Sequence, residues 1–124
     1  MTTSSNLDIE HLVGSAAAPE VPVNEAINLI DYCVAGQTAI NFASDADLTL
    51  SPTGSAPQEW QHLSVKLTDS SVLLTAGRNV VVPNNSKLYL IFNSTAQTLT
   101  VKTSAGTGQT VAASANRLVY CDGT

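Results

Sequence analysis

Two glycines near the C-terminus, Gly106 and Gly108, have the spacing that begins a dinucleotide-binding loop. The third position of that fingerprint holds Val111, and a strand rather than a helix is predicted to follow, so the pattern fails. A phosphate loop fails as well, because Gln109 stands where a lysine should follow Gly108. With neither a lysine nor a helix N-terminus, the segment offers little to hold phosphate charge. The sequence therefore predicts a hairpin turn at these glycines.

The titratable side chains also lack the groupings that catalysis or metal binding requires. The sequence has two histidines, His11 and His62, which excludes a three-histidine zinc site. Asp45 and Asp47 would share one face of a strand, as a pair of hydrolase carboxylates might require, but they stand in a polar loop. Serine, cysteine and histidine form no recognisable nucleophile motif. We therefore expect a non-enzymatic protein without catalytic residues, cofactor or metal.

Charge and cysteine usage narrow the classes of partner. The net charge of −5 disfavours nucleic-acid binding, which needs clustered Lys and Arg. Residues 1–60 hold eight acidic side chains and no Lys or Arg, so all the basic side chains lie in residues 61–124. The acidic half of one copy could therefore attract the basic half of a neighbouring copy.

No secretory signal and no long apolar run is present, so we expect synthesis in the cytoplasm and no membrane partner. Cys33 and Cys121 form no metal-binding pair; a disulfide stays open, with free thiols favoured.

Three regions must position any functional surface, and the first is an N-terminal arm, residues 1–22. Prolines at positions 19 and 22 keep the preceding residues extended, and the segment has neither helical nor alternating periodicity. Such an arm could fold back on its own domain or become ordered along a partner. Its spaced aliphatic residues are candidate docking residues: Leu7, Ile9, Leu12 and Val13.

The second region, residues 23–35, is predicted to be a short helix. Asn24 is a suitable N-cap, and Gly36 offers a stop. Apolar residues recur at helical spacing on one stripe, and a helix of about three turns must pack on something to be stable. The candidate docking residues of this stripe are Val23, Ile27 and Ile30, joined by Val34, Ala26 and Cys33.

The third region, residues 36–124, alternates in period two and predicts an antiparallel β-sandwich or small barrel. Short β-branched or aromatic runs are separated by turn signals rich in Pro, Gly, Asn and Ser. The fold class is thus mainly β, with an extended N-terminal arm and one short helix. The predicted strands lie at 39–42, 48–50, 60–67, 72–74, 80–82, 87–92, 99–103 and 117–120.

Two parts of the chain resemble segments of tailed-phage virion proteins. Glu20–Asp31, with its Val-Asn-Glu-Ala sequence, resembles a segment near the start of many tailed-phage structural proteins. The second part resembles, in order and spacing, a β-module that recurs in phage tail-fibre and virion-surface proteins. It comprises 87–95, 99–103, 106–108, 110–111 and 118–124.

The resemblance implies a virion structural protein, commonly a trimeric fibre or spike whose N-terminal part attaches to the particle. We therefore expect a homotrimer located in the virion, docked through its N-terminal arm onto other tail or head proteins. In such a trimer, 72–74 and 80–82 would bury apolar surface between chains as well as within them. Two alternatives are a capsid decoration protein and a carbohydrate-binding receptor module that recognises a host-surface glycan through exposed aromatics such as Trp60.

Overall fold

The computed structural model describes residues 2–11, 20–51 and 57–124. In these ranges the chain forms one α-helix, a single 3-10 turn at Glu59–Gln61 and eight strands. The helix α1 spans Glu20–Ala35. The strands are β1 Gln37–Asn41, β2 Leu48–Thr49, β3 Ser64–Thr68, β4 Arg78–Val81, β5 Ser86–Asn93, β6 Leu99–Lys102, β7 Gln109–Val111 and β8 Asn116–Asp122.

Helix α1 begins three residues earlier than the predicted start at Val23. Pro22 fits the first turn because the backbone N–H groups of a first helical turn have no partner within the helix. The predicted stop at Gly36 agrees with the end of α1 at Ala35, and the Gly36 N–H donates to the Tyr32 carbonyl at 3.0 Å. A side chain at Gly36 would meet the Tyr32 backbone at 2.7 Å, so the close approach there requires glycine.

The eight strands form two four-stranded sheets with the same plan. Sheet 1 has the order β1-β3-β5-β8, and sheet 2 has the order β2-β4-β6-β7. From β1 to β6 each successive strand joins the opposite sheet, so the chain winds in coils that add one strand to each sheet. In sheet 1, Gln37 pairs with Ser64 and Ser64 pairs with Leu90, which makes one coil 26 or 27 residues long.

The prediction of a mainly β fold with one helix is confirmed, but the predicted antiparallel arrangement was wrong. Four of the six strand pairings are parallel, and only β5–β8 and β6–β7 are antiparallel. Turn residues such as Gly, Pro and Asn also suit loops that cross between sheets, and most of the loops between β1 and β6 carry the chain from one sheet to the other. Within the described residues the two sheets do not close into a barrel.

The hydrophobic core lies between the two sheets. Alternate side chains of each strand point inward, such as Val65 and Leu67 of β3 and Leu99 and Val101 of β6. The predicted strand at 72–74 is not a strand, yet Leu74 is buried in this core together with Val80 and Val82. Those side chains therefore stabilise the fold of the single chain. In the two segments that were expected to bury surface between chains, 72–74 and 80–82, only Leu73 has a largely exposed side chain.

The glycines at 106 and 108 lie in the loop that joins β6 to β7, an antiparallel pair, so the predicted hairpin turn is confirmed. Gly108 has φ +81°, and a side chain there would meet the Val101 carbonyl oxygen at 2.6 Å. Both the left-handed backbone and the close approach require glycine at this position.

Replacing Gly108 by alanine should lower the free energy of unfolding by about 1–3 kcal/mol, because the backbone must either strain or move. Urea unfolding followed by the fluorescence of Trp60 would measure the loss. The matched control is Thr107→Ala at the neighbouring exposed position, which should shift stability by less than about 0.5 kcal/mol. Equal stability of the two variants would contradict the assignment.

Candidate functional site: an apolar helix face and the N-terminal loop

Helix α1 contacts the β-domain through one side. The Tyr32 ring lies edge-on to the His62 ring, with centroids 5.0 Å apart. The Leu63 N–H donates to the Tyr32 carbonyl at 2.9 Å, and the Cys33 thiol donates to the Gln61 carbonyl at 3.0 Å. The C-terminal turns of the helix are therefore fixed to the segment that leads into β3.

The opposite side of α1 is apolar and exposed. Val23, Ile30 and Val34 are 43%, 57% and 56% exposed, and Ile27 between them is half-buried. Ala26 and Cys33 border this stripe and are exposed as well, and Cys33 lies at the edge where its thiol reaches the Gln61 carbonyl of the β-domain. We call the six residues together the helix face. The face contains no charged side chain, and contiguous exposed apolar surface of this kind marks interaction sites in soluble proteins.

The described part of the N-terminal arm, residues 2–11, is folded rather than extended. Thr3 and Glu10 form an antiparallel bridge, and the Ser4 N–H donates to the Ile9 carbonyl at 2.9 Å. Asp8 makes the reversal possible with φ +52°, a conformation that Asp tolerates better than most residues. We call residues 2–11 the N-terminal loop. Its closure on itself differs from the extended conformation predicted for residues 1–22.

Asp31 attaches the N-terminal loop to the helix. Its Oδ2 accepts from the Asn6 backbone N–H at 3.0 Å and from the Asn6 side-chain amide at 2.7 Å. Its Oδ1 accepts from the Leu7 N–H at 2.8 Å. Burial opposes ionisation of this carboxyl, but the hydrogen bonds from Asn6, Ser4 and Leu7 outweigh burial and hold the pKa of Asp31 below its usual value. A second attachment joins the His11 ring to the Asn28 side chain at 2.9 Å.

The structure brings most of the predicted docking residues to one region. Leu7 and Ile9 are 47% and 37% exposed on the N-terminal loop, and the Leu7 backbone contacts Asp31 of the helix. Val23, Ile27 and Ile30 lie on the helix face. Leu12 and Val13 fall outside the described residues.

A second exposed apolar surface lies on the outer face of sheet 1, and the sequence reasoning missed it. Leu88 pairs with Tyr120 and Leu90 pairs with Leu118 across β5 and β8. Leu88, Leu118 and Tyr120 are 47%, 60% and 62% exposed. The sequence could have predicted this surface, because every residue from Leu88 to Phe92 is apolar or aromatic. Such a run puts apolar side chains on both faces of a strand, and only one face can point into the core.

The other candidate residues serve the fold. Hydrogen bonds from Thr75 and then from Arg78 hold the pKa of Asp45 below its usual value, and the Arg78–Asp45 ion pair measures 2.7 Å. Asp47 accepts from the Asn79 backbone and side chain, each at 2.8 Å. Cys33 and Cys121 are free thiols. Among the described residues no cluster of three His, Cys, Asp or Glu side chains could hold a metal ion.

A cavity of about 200 Å³ lies between the sheets beside the Gly106–Gly108 loop. Tyr89 and Cys121 line it, and Thr103 closes one side through a 2.7 Å hydrogen bond from its hydroxyl to the Thr124 carbonyl. The Tyr89 hydroxyl is buried and has no hydrogen-bond partner among the described residues. Burial raises the pKa of this phenol strongly, so Tyr89 is neutral throughout the ordinary pH range.

Replacing Tyr89 by phenylalanine should leave stability unchanged or raise it by up to about 1 kcal/mol, because a buried hydroxyl without a partner carries an uncompensated desolvation cost. Thermal unfolding of the two proteins would compare them. Ile91→Val is a control for core packing and should destabilise by about 0.5–1.5 kcal/mol. A clear loss of stability in Tyr89→Phe would show that the hydroxyl has a stabilising partner.

Within the described ranges, the helical segments are too short or too polar to cross a membrane. Comparisons of the chain with protein-family models, with curated proteins and with solved structures gave no match. The helix face and the N-terminal loop are therefore the features of the described residues that bear on function.

Proposed function

We propose that this chain is a non-enzymatic phage virion structural protein, a fibre or spike protein or its particle-anchoring part, that assembles as a homotrimer. The observation that carries the assembly part is the helix face, six apolar or small residues without a charge, largely exposed on a chain that already has a complete core elsewhere. The resemblance of Glu20–Asp31 and of the β-module supports the virion part.

The β-domain suits a structural role in a particle. Its two sheets share one continuous core, and the chain carries few charged side chains, 12% of its residues. Long-range strand pairing of this kind gives a rigid body, while the helix and the N-terminal loop supply surfaces for attachment. Docking onto other tail or head proteins is assigned to Leu7 and Ile9 of that loop, with Leu12 and Val13 completing the proposed docking set.

Association with particles tests the virion part of this proposal. A tagged copy expressed during particle production should sediment with the purified particles and remain attached after washing. Quantitative mass spectrometry of those particles should give a few copies each for a fibre, whereas hundreds of copies would identify the alternative, a capsid decoration protein. Absence of the tagged chain from the particles would refute the virion role.

One observation favours the second alternative, a carbohydrate-binding module. Tyr120 exposes 62% of its surface on the outer face of sheet 1, where an aromatic ring could stack on a sugar. Trp60, the residue first considered for this role, instead packs against the core and donates from Nε1 to the Gln58 side chain at 2.7 Å. A glycan array with Tyr120→Ala as the comparison tests this function, and equal signals from both proteins would exclude Tyr120 as a sugar-stacking residue.

A further inference from the structure

Strand β8 ends sheet 1 and has a free edge on the side away from β5. The Asn93 N–H donates to the Ala115 carbonyl at 2.9 Å, which fixes the alternation of hydrogen-bonded pairs along β5 and β8. Val119 therefore directs its backbone groups to β5, whereas Leu118 and Tyr120 direct theirs away from it. Among the described residues, no group makes a hydrogen bond to the N–H or the C=O of Leu118 or Tyr120.

The cavity between the sheets opens along this free edge. Residues 119–122 of β8 line one side of the cavity, and the loop between β6 and β7 lines the other. Near one end, the Thr103 hydroxyl donates to the Thr124 carbonyl at 2.7 Å. Near the other end, the Arg117 side chain donates to the Thr110 carbonyl at 2.6 Å. We call the free edge of β8, together with this cavity, the β8 groove.

We propose that the β8 groove binds an extended segment of another protein, which adds to sheet 1 as a fifth strand antiparallel to β8. Strand addition is a common mode of peptide binding, because a further strand satisfies the unpaired backbone groups of an edge. Leu118 and Tyr120 would each share two hydrogen bonds with the segment, as hydrogen-bonded antiparallel pairs do. The β8 groove is separate from the helix face and the N-terminal loop, so its occupant is additional to the partners of the proposed function.

The outer face of sheet 1 selects apolar residues in the bound segment. Segment residues opposite Leu118 and Tyr120 point to this face, where the two side chains are 60% and 62% exposed. On the other side of β8, Leu90 and Leu88 of β5 already pack beside them as cross-strand neighbours. Valine at both outer positions of the segment would continue this apolar row, since β-branched residues pack well beside leucine and tyrosine.

The inner face selects a neutral polar residue at the centre of the segment. The residue between the two valines lies opposite Val119, so its side chain points inward to the cavity. Tyr89 lines that cavity, and its buried hydroxyl has no partner among the described residues. A threonine hydroxyl would supply a hydrogen-bond partner, whereas a charged side chain would lose its hydration without compensation.

The charges of β8 give the bound segment a direction. Arg117 lies near the start of the strand, and Asp122 lies at its end. An antiparallel segment has its C-terminal end beside Arg117 and its N-terminal end beside Asp122. A basic residue at the start of the segment and an acidic residue at its end are therefore complementary to the groove. The sequence Lys-Thr-Val-Thr-Val-Glu meets all of these requirements.

The edge strands of this chain do not carry that pattern. Strands β2 and β7 have two and three residues, which is too short to extend from Arg117 to Asp122. Strand β1 contains no charged residue. A second copy of β8 that paired Leu118 with Tyr120 would place valine, which has no hydroxyl, opposite Val119. These strands therefore favour a partner protein over another copy of this chain as the occupant.

Nuclear magnetic resonance of the ¹⁵N-labelled full chain tests the groove with the acetylated and amidated peptide Lys-Thr-Val-Thr-Val-Glu. The amide signals of Leu118 and Tyr120 should shift saturably. The matched probe is the same peptide with N-methyl groups on both valines, which keeps the side chains but removes two backbone donors. It should bind at least about tenfold more weakly. Equal binding of the two peptides, or no saturable shift at Leu118 and Tyr120, would overturn the proposal.

A substitution on the free edge tests the same contact from the side of the protein. Leu118→Pro removes an N–H that points away from β5, and edge strands tolerate proline at such positions. It should weaken peptide binding at least about tenfold. Ala39→Pro on β1, the opposite edge strand of sheet 1, is the matched control and should bind as the wild type does. Wild-type affinity of a folded Leu118→Pro chain would overturn the proposal.

A second variant leaves the edge intact and tests the cavity. Tyr89→Phe should weaken binding of the threonine peptide about two- to tenfold and leave unchanged the binding of a peptide with valine at the centre. Equal effects on the two peptides would refute the inward contact with Tyr89. Sedimentation equilibrium provides the last arm. Self-association of the wild type that Leu118→Pro abolishes would identify a second copy as the occupant and overturn the assignment to a partner protein.

Discussion

Replacing Asn93 by alanine should lower the free energy of unfolding by about 2–4 kcal/mol, because several buried hydrogen-bonding groups lose their partner together. Asn93 is 2% exposed at the end of β5. Its amide nitrogen lies 2.8, 3.1 and 2.9 Å from the carbonyl oxygens of Gln97, Val111 and Ala112, so its two hydrogens are shared among three acceptors. Its oxygen accepts from the backbone N–H and the hydroxyl of Thr95. One side chain thus joins sheet 1 to the last strand of sheet 2.

Urea unfolding, followed by the fluorescence of Trp60, is the measurement for this prediction. Asn93→Asp should be at least as damaging as alanine at neutral pH, since a carboxylate would face three carbonyl oxygens without a proton to donate. Asn116→Ala, at an exposed position of β8, is the matched control and should change stability by less than about 0.5 kcal/mol. Similar midpoints for Asn93→Ala and Asn116→Ala would show that the network contributes little.

The second large effect is expected at Asp31. Asp31→Asn keeps the size of the side chain but replaces one acceptor by a donor, which then faces an N–H of Asn6 or Leu7. The N-terminal loop should detach, and the amides of Asn6 and Leu7 should exchange hydrogen about tenfold faster or more. Glu25→Gln, an equivalent loss of charge at an exposed position of the same helix, should leave both rates unchanged.

Acid should have the same effect as the Asp31 substitution. Because the folded-state pKa of Asp31 lies below its ordinary value of 3.8, the ionised carboxyl stabilises the attached loop at every pH above that value. The stabilisation is lost as the pH falls through the folded-state pKa. Exchange at Asn6, after correction for intrinsic rates, should therefore be constant from about pH 8 to about pH 5 and rise only below the ordinary pKa of 3.8. Early detachment near pH 6 would contradict this role.

Periodicity predicted the elements of this fold better than their arrangement. Alternation placed strands near 87–92 and 99–103 because it records which side chains face a core. It carries no information on which strand lies alongside, and Gly, Pro and Asn occur equally in hairpins and in loops that cross between sheets. The parallel pairing of β3 with β5 depends on contacts about 26 residues apart, which no local pattern reports.

The sequence predicted some residues of the candidate site and missed others. Helical spacing identified Val23, Ile27 and Ile30 as a stripe, and the structure shows that this stripe is largely exposed. The role of Asp31 could not be predicted, because its partners lie 24 and 25 positions earlier in a segment without periodicity. The outer surface of sheet 1 was predictable in principle from the apolar run of β5, although Leu118 and Tyr120 complete it only through the β5–β8 pairing.

Because the chain winds in coils, the number of coils sets the width of both sheets. An extra coil inserted next to β1 and β2 would add one parallel strand to each sheet and widen it by about 4.8 Å, without disturbing the strands already in place. At the other side, the reversed strands β7 and β8 break the parallel repeat and end the series. The distance between helix α1 and the closing strands is thus set by the number of coils, and duplicating one coil would lengthen the protein by a fixed step.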